Sequence, residues 1–299
     1  MSSTAATAGD AGPTTPTPPK AKPSLTGVSE TMLVVLAARA EDAVKPNPVL
    51  HDTFAAETLA RLDYAPPRGR LDHGFFATVL LRASLLDAWA AEFLAAHPGA
   101  TVLHLGCGLD SRALRLGDFW CRDGGGGAAA ARWYDVDMPA VVALRRRVMA
   151  APEGGDYHLV EASVTDDAWL EAVPADRPTL VVMEGLLGYL EPHEAQRLVH
   201  RIAERFPSGQ LVFDAIGGWF LRMQRFNRPI SRTGAVLRSS VDDPREISAV
   251  HPKLELRSVV RIWEVPGREI LPWYLRLSLW VYSWIPGMRT AVSYFRYNF

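Results

Sequence analysis

The sequence predicts an α/β protein, a mostly parallel sheet with helices on both faces. Three observations carry this. From Thr101 onward, short apolar runs alternate with helical patterns, the order that right-handed crossovers between parallel strands require. The run Thr101-Val-Leu-His-Leu105 passes into a glycine turn, Gly106-Cys-Gly108, and then a helix start, which together make a cradle for a nucleotide-like ligand. Near the C-terminus two strand-like runs flank a helical one, which suits an antiparallel pair at the sheet edge.

Taken in order, residues 1–24 are rich in Pro, Ala and Thr and almost lack large apolar side chains, so a disordered tail is expected. Residues 25–299 then form one domain. Thr26 or Ser29 can cap a first helix with Met32, Val35 and Leu36 on its apolar stripe, and Lys45-Pro-Asn-Pro48 breaks it. Residues 52–62 give a second helix. Residues 75–96 give a stronger one, with Leu81, Leu85, Ala88 and Trp89 on one face and His97-Pro-Gly99 as its stop. Residues 25–99 are therefore a helical section covering one end of the sheet. Asp110 and Ser111 are the expected caps of the helix after the glycine turn, whose free amides would favour negative groups.

Strands are expected at 101–105, 132–137, 157–161, 179–183 and 210–214, with helices at 139–150 and 192–206. The unbroken apolar run Thr179-Leu-Val-Val-Met183 suggests burial on both faces. Residues 123–131, with four consecutive glycines, read as a loop entering the second strand from the end of the sheet away from the ligand. Residues 216–243 are rich in Gly, Arg, Phe and Ser and read as a lid-like insert. A strand at 254–265, an aromatic helix at 271–285 and a strand at 293–299 complete the chain. The helix raises a peripheral-membrane reading, against which its place between two strands argues for a cover over the core.

Composition excludes several classes. About half of the 299 residues are hydrophobic, 48%, which is enough for a sizeable core. The net charge of −1 argues against nucleic acid or a general anionic surface as partner. Two cysteines, Cys107 and Cys121, suggest no disulfide framework and fit a cytoplasmic enzyme. No apolar run reaches the ~20 residues of a transmembrane span.

Two cofactors fit the glycine turn, a dinucleotide or S-adenosyl-L-methionine. A dinucleotide site wants a third glycine two residues further on, where Leu109-Asp-Ser111 stands instead. Asp137, ending the second strand, can take ribose hydroxyls in either case. The reversed C-terminal strand favours the methyltransferase. A plain tight turn remains the alternative for Gly106 and Gly108.

Four motifs then resemble one family. Val28-Ser-Glu-Thr-Met32, Leu105-Gly-Cys-Gly-Leu-Asp-Ser-Arg112, Trp133-Tyr-Asp-Val-Asp-Met-Pro139 and Glu184-Gly-Leu-Leu-Gly-Tyr-Leu190 are similar to the leucine carboxyl methyltransferase superfamily, most of all its bacterial branch of tetracenomycin polyketide O-methyltransferase type. The resemblance runs from about Val28 to the C-terminus. It implies a class I methyltransferase (Rossmann-like) sheet of seven strands, the last antiparallel, with S-adenosyl-L-methionine as cofactor. It further implies Arg82 on the methionine carboxylate, Gly106 and Gly108 at the close backbone approach, Asp137 on the ribose and Glu184 beside the cofactor. Asp135, on the same strand face as Asp137, is the fallback. The family's acidic adenine-site residue is replaced by Ser163, which with the backbone of Val164 remains available to adenine.

No catalytic residue is assigned by sequence; Glu184, Tyr189 and His73 are the candidates, His73 being the least unfavourable base among the histidines. The lack of an obvious base favours a carboxylate acceptor, already ionised at neutral pH. Trp219, Phe220, Met223 and Phe226 in the insert suggest a hydrophobic acceptor, and Arg222, Arg225, Arg228 and Arg232 an acidic one. The expected partner is thus a small acidic, hydrophobic molecule. A protein C-terminal carboxyl methyltransferase, an NAD(P)-binding oxidoreductase and an inactive cofactor-binding protein are the alternatives.

Overall fold

The computed structural model describes residues 20–23, 28–65, 73–121, 130–224 and 235–299, with the side chains of 28–30 and 73–74 outside that description. Seven strands form one sheet: β1 (Thr101–Leu105), β2 (Arg132–Asp137), β3 (Asp156–Glu161), β4 (Thr179–Met183), β5 (Gly209–Ile216), β6 (Glu255–Arg261) and β7 (Val292–Asn298). Their order is β3-β2-β1-β4-β5-β7-β6. The first five run parallel, and β7 pairs antiparallel with both β5 and β6. β1, β2 and β4 fall where their apolar runs place them. β6 is shorter than expected: a register shift between Leu256 and Ser258 irregularises it, and Glu264 Oε2 accepts from the Arg261 amide as it ends.

Alternate residues of one strand point to opposite faces, and here both faces are buried. Leu103, Leu105, Val181, Met183, Leu211 and Phe213 meet Leu198, Val199 and Ile202 of α8 (Pro192–Arg205). Val102, Leu180, Val182 and Val212 meet Leu81, Leu86, Trp89 and Phe93 of α3 (His73–Ala96). Each such large side chain contributes about 1.5–3 kcal/mol by leaving water. Pro192 suits the first turn of α8, and Glu194 Oε2 accepts from the Glu191 amide there, at 3.0 Å.

The helical section packs beside the glycine turn. Leu33, Leu36 and Ala40 of α1 (Val28–Ala43) join Leu109 and, from α6 (Pro139–Val148), Leu144 and Val148. α2 (Thr53–Ala60) starts at Asp52, whose Oδ1 accepts from the Ala55 amide. The helix after the glycine turn is a single turn, α4 (Arg112–Arg115), followed by α5 (Gly117–Trp120). α7 (Ala168–Ala172) links β3 to β4.

Residues 1–19 and 24 of the expected tail, and 123–129 of the expected loop, lie outside the described residues. The end of that tail is held. The Ala21 amide donates to Arg61 O, its carbonyl accepts from Asp63, both at 2.8 Å, and Ala21 is buried. The insert opens with α9 (Gly218–Met223), and 225–234, with Arg225, Phe226, Arg228 and Arg232, lie outside the described residues. From 235 the chain returns as a limb without regular secondary structure and reaches α10 (Arg245–Ser248). The aromatic helix, α11 (Trp273–Trp284), corrects one expectation. Leu275 and Leu279 touch the core, but no residue of α11 is buried, so it covers little. Among the described residues no helix is long and apolar enough to cross a membrane.

Candidate functional site

β1 is flanked by β2 on one side and β4 on the other, so chain direction around the sheet diverges at its carboxyl end. Crevices at such points are where open α/β sheets bind ligands. The register pairs Leu105 with Val136 and Met183, and Met183 with Phe213. One residue further on, Asp137, Gly106, Glu184 and Asp214 therefore line up across the carboxyl edge. The sheet thus places a glycine between acidic neighbours without any loop having to find them.

The glycine turn is shaped from below. Gly106 and Gly108 both take left-handed backbone, φ 64° and 53°. The Gly106 and Cys107 amides donate to Val136 O at 2.9 and 3.3 Å, and the Gly108 amide to Asp137 Oδ2 at 2.7 Å. Arg145 of α6 holds the carbonyls of Gly108 and Asp110 at 3.0 and 2.7 Å. The three turn amides are thus engaged, and of the helix-start amides expected to stand free for an anion that of Arg112 is taken by Asp110. Ser111 does not cap α4 either, because its hydroxyl donates to Asp52 Oδ1 at 2.5 Å. Asp110 Oδ1 accepts from the Arg112 amide instead. What the turn demands of its glycines is the left-handed backbone and the lack of a side chain, since a Cβ at Gly108 would lie 3.4 Å from Met32 Cβ. A Cβ at Gly106 would lie 3.0 Å from Leu186 Cδ1. Gly106→Ala should cost about 1–2 kcal/mol from the left-handed backbone alone, read as a lower midpoint in urea, with cofactor affinity falling in parallel.

Asp137 is half-buried at the end of β2. Oδ2 accepts from Gly108 and Oδ1 from the Met138 amide at 2.7 Å, leaving each oxygen a lone pair for a hydroxyl. Burial pushes its carboxyl above the ordinary value against the pull of those two amides. Asp135 has no such freedom. It is fully buried, bonded to His104 Nδ1, Trp133 Nε1, Arg145 and Tyr157, and the fallback role has no oxygen left. Burial raises its carboxyl, but Arg145 and His104 outweigh that and bring it down to about 2. A guanidinium only donates, so Arg112 makes Nε2 of His104 the acceptor and Nδ1 the donor to Asp135. His104 is a packed structural residue.

Glu184 is enclosed rather than open. Its oxygens take Arg39 at 2.8 Å, Arg82 at 3.0 Å and Arg112 at 2.5 Å. Burial opposes its ionisation, and the three guanidiniums outweigh burial, bringing it down to about 2. Arg82 also reaches Asp214 Oδ2 at 3.1 Å, and Asp214 Oδ1 accepts from the Gly185 amide. Burial alone would lower the Arg82 guanidinium; Asp214 and Glu184 hold it above its ordinary value. Of the three arginines on Glu184, Arg82 keeps 19% of its side chain exposed, against 3% for Arg39 and 0% for Arg112. A ligand carboxylate can therefore meet Arg82 alone. Arg39 and Arg112, with Arg115, continue the ion pairs inward to Asp52, Asp87 and Asp110. Sequence reasoning missed this layer. The available signal was charge on apolar faces, as for Arg39 within Leu36-Ala-Ala-Arg-Ala40.

Ser163 Oγ bonds Thr165 Oγ1 at 2.7 Å, while the Val164 carbonyl accepts from Trp169 Nε1. The Ala162 amide donates to Asp137 O, which ties this loop to the end of β2. Tyr189 lies in the turn after Glu184, is hydrogen-bonded to Thr31 and is raised by burial. The returning limb of the insert rests on that turn: Arg238 and Ser239 amides donate to Gly188 O, and Ser239 Oγ to Leu187 O. Trp219 and Phe220 are half-buried in α9 while Met223 and Arg222 are exposed. His73 opens α3, and its side chain lies outside the described residues.

This donor set fits an adenosyl amino acid. Arg82 suits a carboxylate, Asp137 a diol, and the 162–166 loop a flat base, all on one edge. The leucine carboxyl methyltransferase family model matches residues 32–203. The chain is 38% identical over 278 residues to the tetracenomycin polyketide synthesis O-methyltransferase TcmP of Streptomyces glaucescens, covering 92% of this chain and 98% of that one. It is 39% identical over 292 residues to the S-adenosyl-L-methionine-dependent methyltransferase dpfgK of Gibberella zeae, covering 92% of each. A solved structure of a putative methyltransferase from Thermobifida fusca shares the fold at 17% identity, TM-score 0.53, over 87% of this chain and 93% of that chain.

Proposed function

This chain belongs to the leucine carboxyl methyltransferase family, and on that premise we propose that it methylates an oxygen, a carboxylate before a hydroxyl, of a small hydrophobic natural product such as a polyketide. It is an S-adenosyl-L-methionine-dependent methyltransferase, which leaves no place for the dinucleotide reading. The observation that carries the choice of acceptor is the chemistry of the edge itself. Among the described residues, carboxylates, guanidiniums and phenols stand there, and none suits the work of a base near neutral pH. Glu184 is locked in ion pairs, His104 has both nitrogens engaged, and burial raises the phenols of Tyr189 and Tyr294. A carboxylate acceptor needs no base. The relative from Streptomyces glaucescens, named for polyketide O-methylation, supports the acceptor class.

When bound, the cofactor supplies a methyl group on a sulfonium, ready for in-line displacement. The protein's part is position. Arg82 takes the carboxylate of the amino acid end, and Asp137 takes the ribose hydroxyls. Ser163 and the backbone of Val164 border adenine, and Gly106 and Gly108 leave room for the chain between. Glu184, itself held by Arg39 and Arg112, positions Arg82. Tyr189, under the limb of the insert, helps close the acceptor side against water. Alignment of this kind supplies up to about 7–11 kcal/mol of a barrier. Two unpaired thiols fit work in a reducing cytosol.

Labelled methyl transfer tests the reading. Aromatic polyketide-type acids should give a product that loses its label as methanol in mild alkali, the mark of an ester. An alkali-stable label would move the acceptor to a hydroxyl. Label on peptides ending in a free carboxylate, with none on small acids, would reverse the reading in favour of a protein substrate.

A further inference from the structure

Helix α11 carries apolar side chains on both sides, yet no residue of it is buried. Leu275 and Leu279 face the core. The opposite arc holds Trp273, Leu277, Trp280, Val281 and Trp284, with Trp273 70% and Trp284 73% exposed. At 100° per residue these five fall within one arc, so they form a continuous stripe. Among the described residues nothing covers it. A soluble surface of this kind marks an interaction site.

Charge says what covers it. From 270 to 291 the chain has no Asp or Glu and two arginines, Arg276 and Arg289. A groove of about 390 Å³ beside the stripe is lined by Trp263, Leu271, Leu279 and Trp280, with Arg268, Arg276 and Glu264 among its polar residues. A second copy fits poorly, since a two-fold contact would set Arg276 and Arg289 against themselves with no carboxylate inside the patch. Tryptophans on a stripe flanked by cations match a bilayer interface, where indoles sit at headgroup depth and cations meet anionic lipid.

We infer that α11 docks this enzyme on anionic phospholipid bilayers, lying in the surface plane. The whole-chain charge of −1 does not oppose this, because attraction near a bilayer is local. The docked surface adjoins the insert. Thr290 Oγ1 donates to Asp242 Oδ1 at 2.6 Å, the Gly217 amide donates to Ala291 O, and a Cβ at Gly287 would lie 3.8 Å from Trp219 Cβ. Docking through α11 therefore brings α9, where the insert opens, near the lipid. The inference goes beyond the acceptor proposed above and does not rest on it.

Flotation of the full chain with vesicles tests it, comparing phosphatidylcholine alone with a phosphatidylcholine–phosphatidylglycerol mixture. The protein should float with the mixture, with blue-shifted tryptophan emission. Joint replacement Trp273→Ser, Trp280→Ser and Trp284→Ser should weaken partition at least ~10-fold. Arg276→Gln should weaken it about fivefold, the worth of one cation near an anionic surface. Both variants should keep the thermal midpoint and the cofactor affinity, since the changed side chains lie outside the core and the cofactor edge. No flotation with either vesicle overturns the inference, as does equal flotation with both. A stable dimer in sedimentation that the triple variant splits would also overturn it, giving the stripe to a second copy.

Discussion

Glu184→Gln should be the most damaging single substitution on the carboxyl edge, lowering stability by about 3 kcal/mol at neutral pH. Two routes reach that figure. The carboxyl falls from 4.5 to about 2 on folding, and a shift of that size is worth about 3 kcal/mol. Removing one partner from a buried ion pair costs about 3–5 kcal/mol, because the cations left behind are unpaired. Here three guanidiniums lose their shared counter-charge. The sign of the pH dependence follows. A folded value below the unfolded one gives stability that is present above about 4.5 and is lost as pH falls toward 2. Urea titrations of both proteins should show a gap that is full at pH 7 and narrows steadily below pH ~5. A gap unchanged down to pH ~3 would mean that Glu184 is not ionised through these pairs.

Asp137→Ala should act on binding instead. One carboxylate accepts the Gly108 and Met138 amides and retains lone pairs for a diol. Charge-assisted hydrogen bonds are worth about 1.5–3 kcal/mol each, so cofactor affinity should fall about 10- to 100-fold. Stability should fall less, since the exposed Met138 amide can turn to water and the buried Gly108 amide alone loses its acceptor. Calorimetric titration with S-adenosyl-L-methionine reads the first effect and thermal unfolding the second. Burial raises the Asp137 carboxyl, so wild-type affinity should start to drop at a higher pH than an ordinary aspartate would give. Unchanged affinity in the alanine variant would move the ribose contact elsewhere.

The strands were legible because burial on both faces leaves an unbroken apolar run, as in β4, and glycine or proline marks its ends. The glycine turn and Asp137 were legible for a related reason: parallel strands bring their carboxyl ends to one edge, so residues just past each strand meet. What the sequence hid was partnership. Nothing local says that Arg39 ends against Glu184, far along the chain, or that Asp214 shares Arg82 with it. Such pairs are set by how α1 and α3 pack on the sheet. Nor does anything local say that the Gly106 and Cys107 amides meet Val136 O, because that acceptor belongs to the neighbouring strand. α11 was misread because apolar patterning shows that a face avoids water without showing what it meets.

Arg82 reaches the ligand edge already paired with Glu184 and Asp214, and this sets what it will accept. A phosphate or sulfate ion that drew Arg82 away would leave Asp214 without its guanidinium and Glu184 with only Arg39 and Arg112. A zwitterion brings an ammonium along with its carboxylate and can trade places without unbalancing the group. On the role proposed for Arg82, the pairing favours an amino acid headgroup over a simple anion.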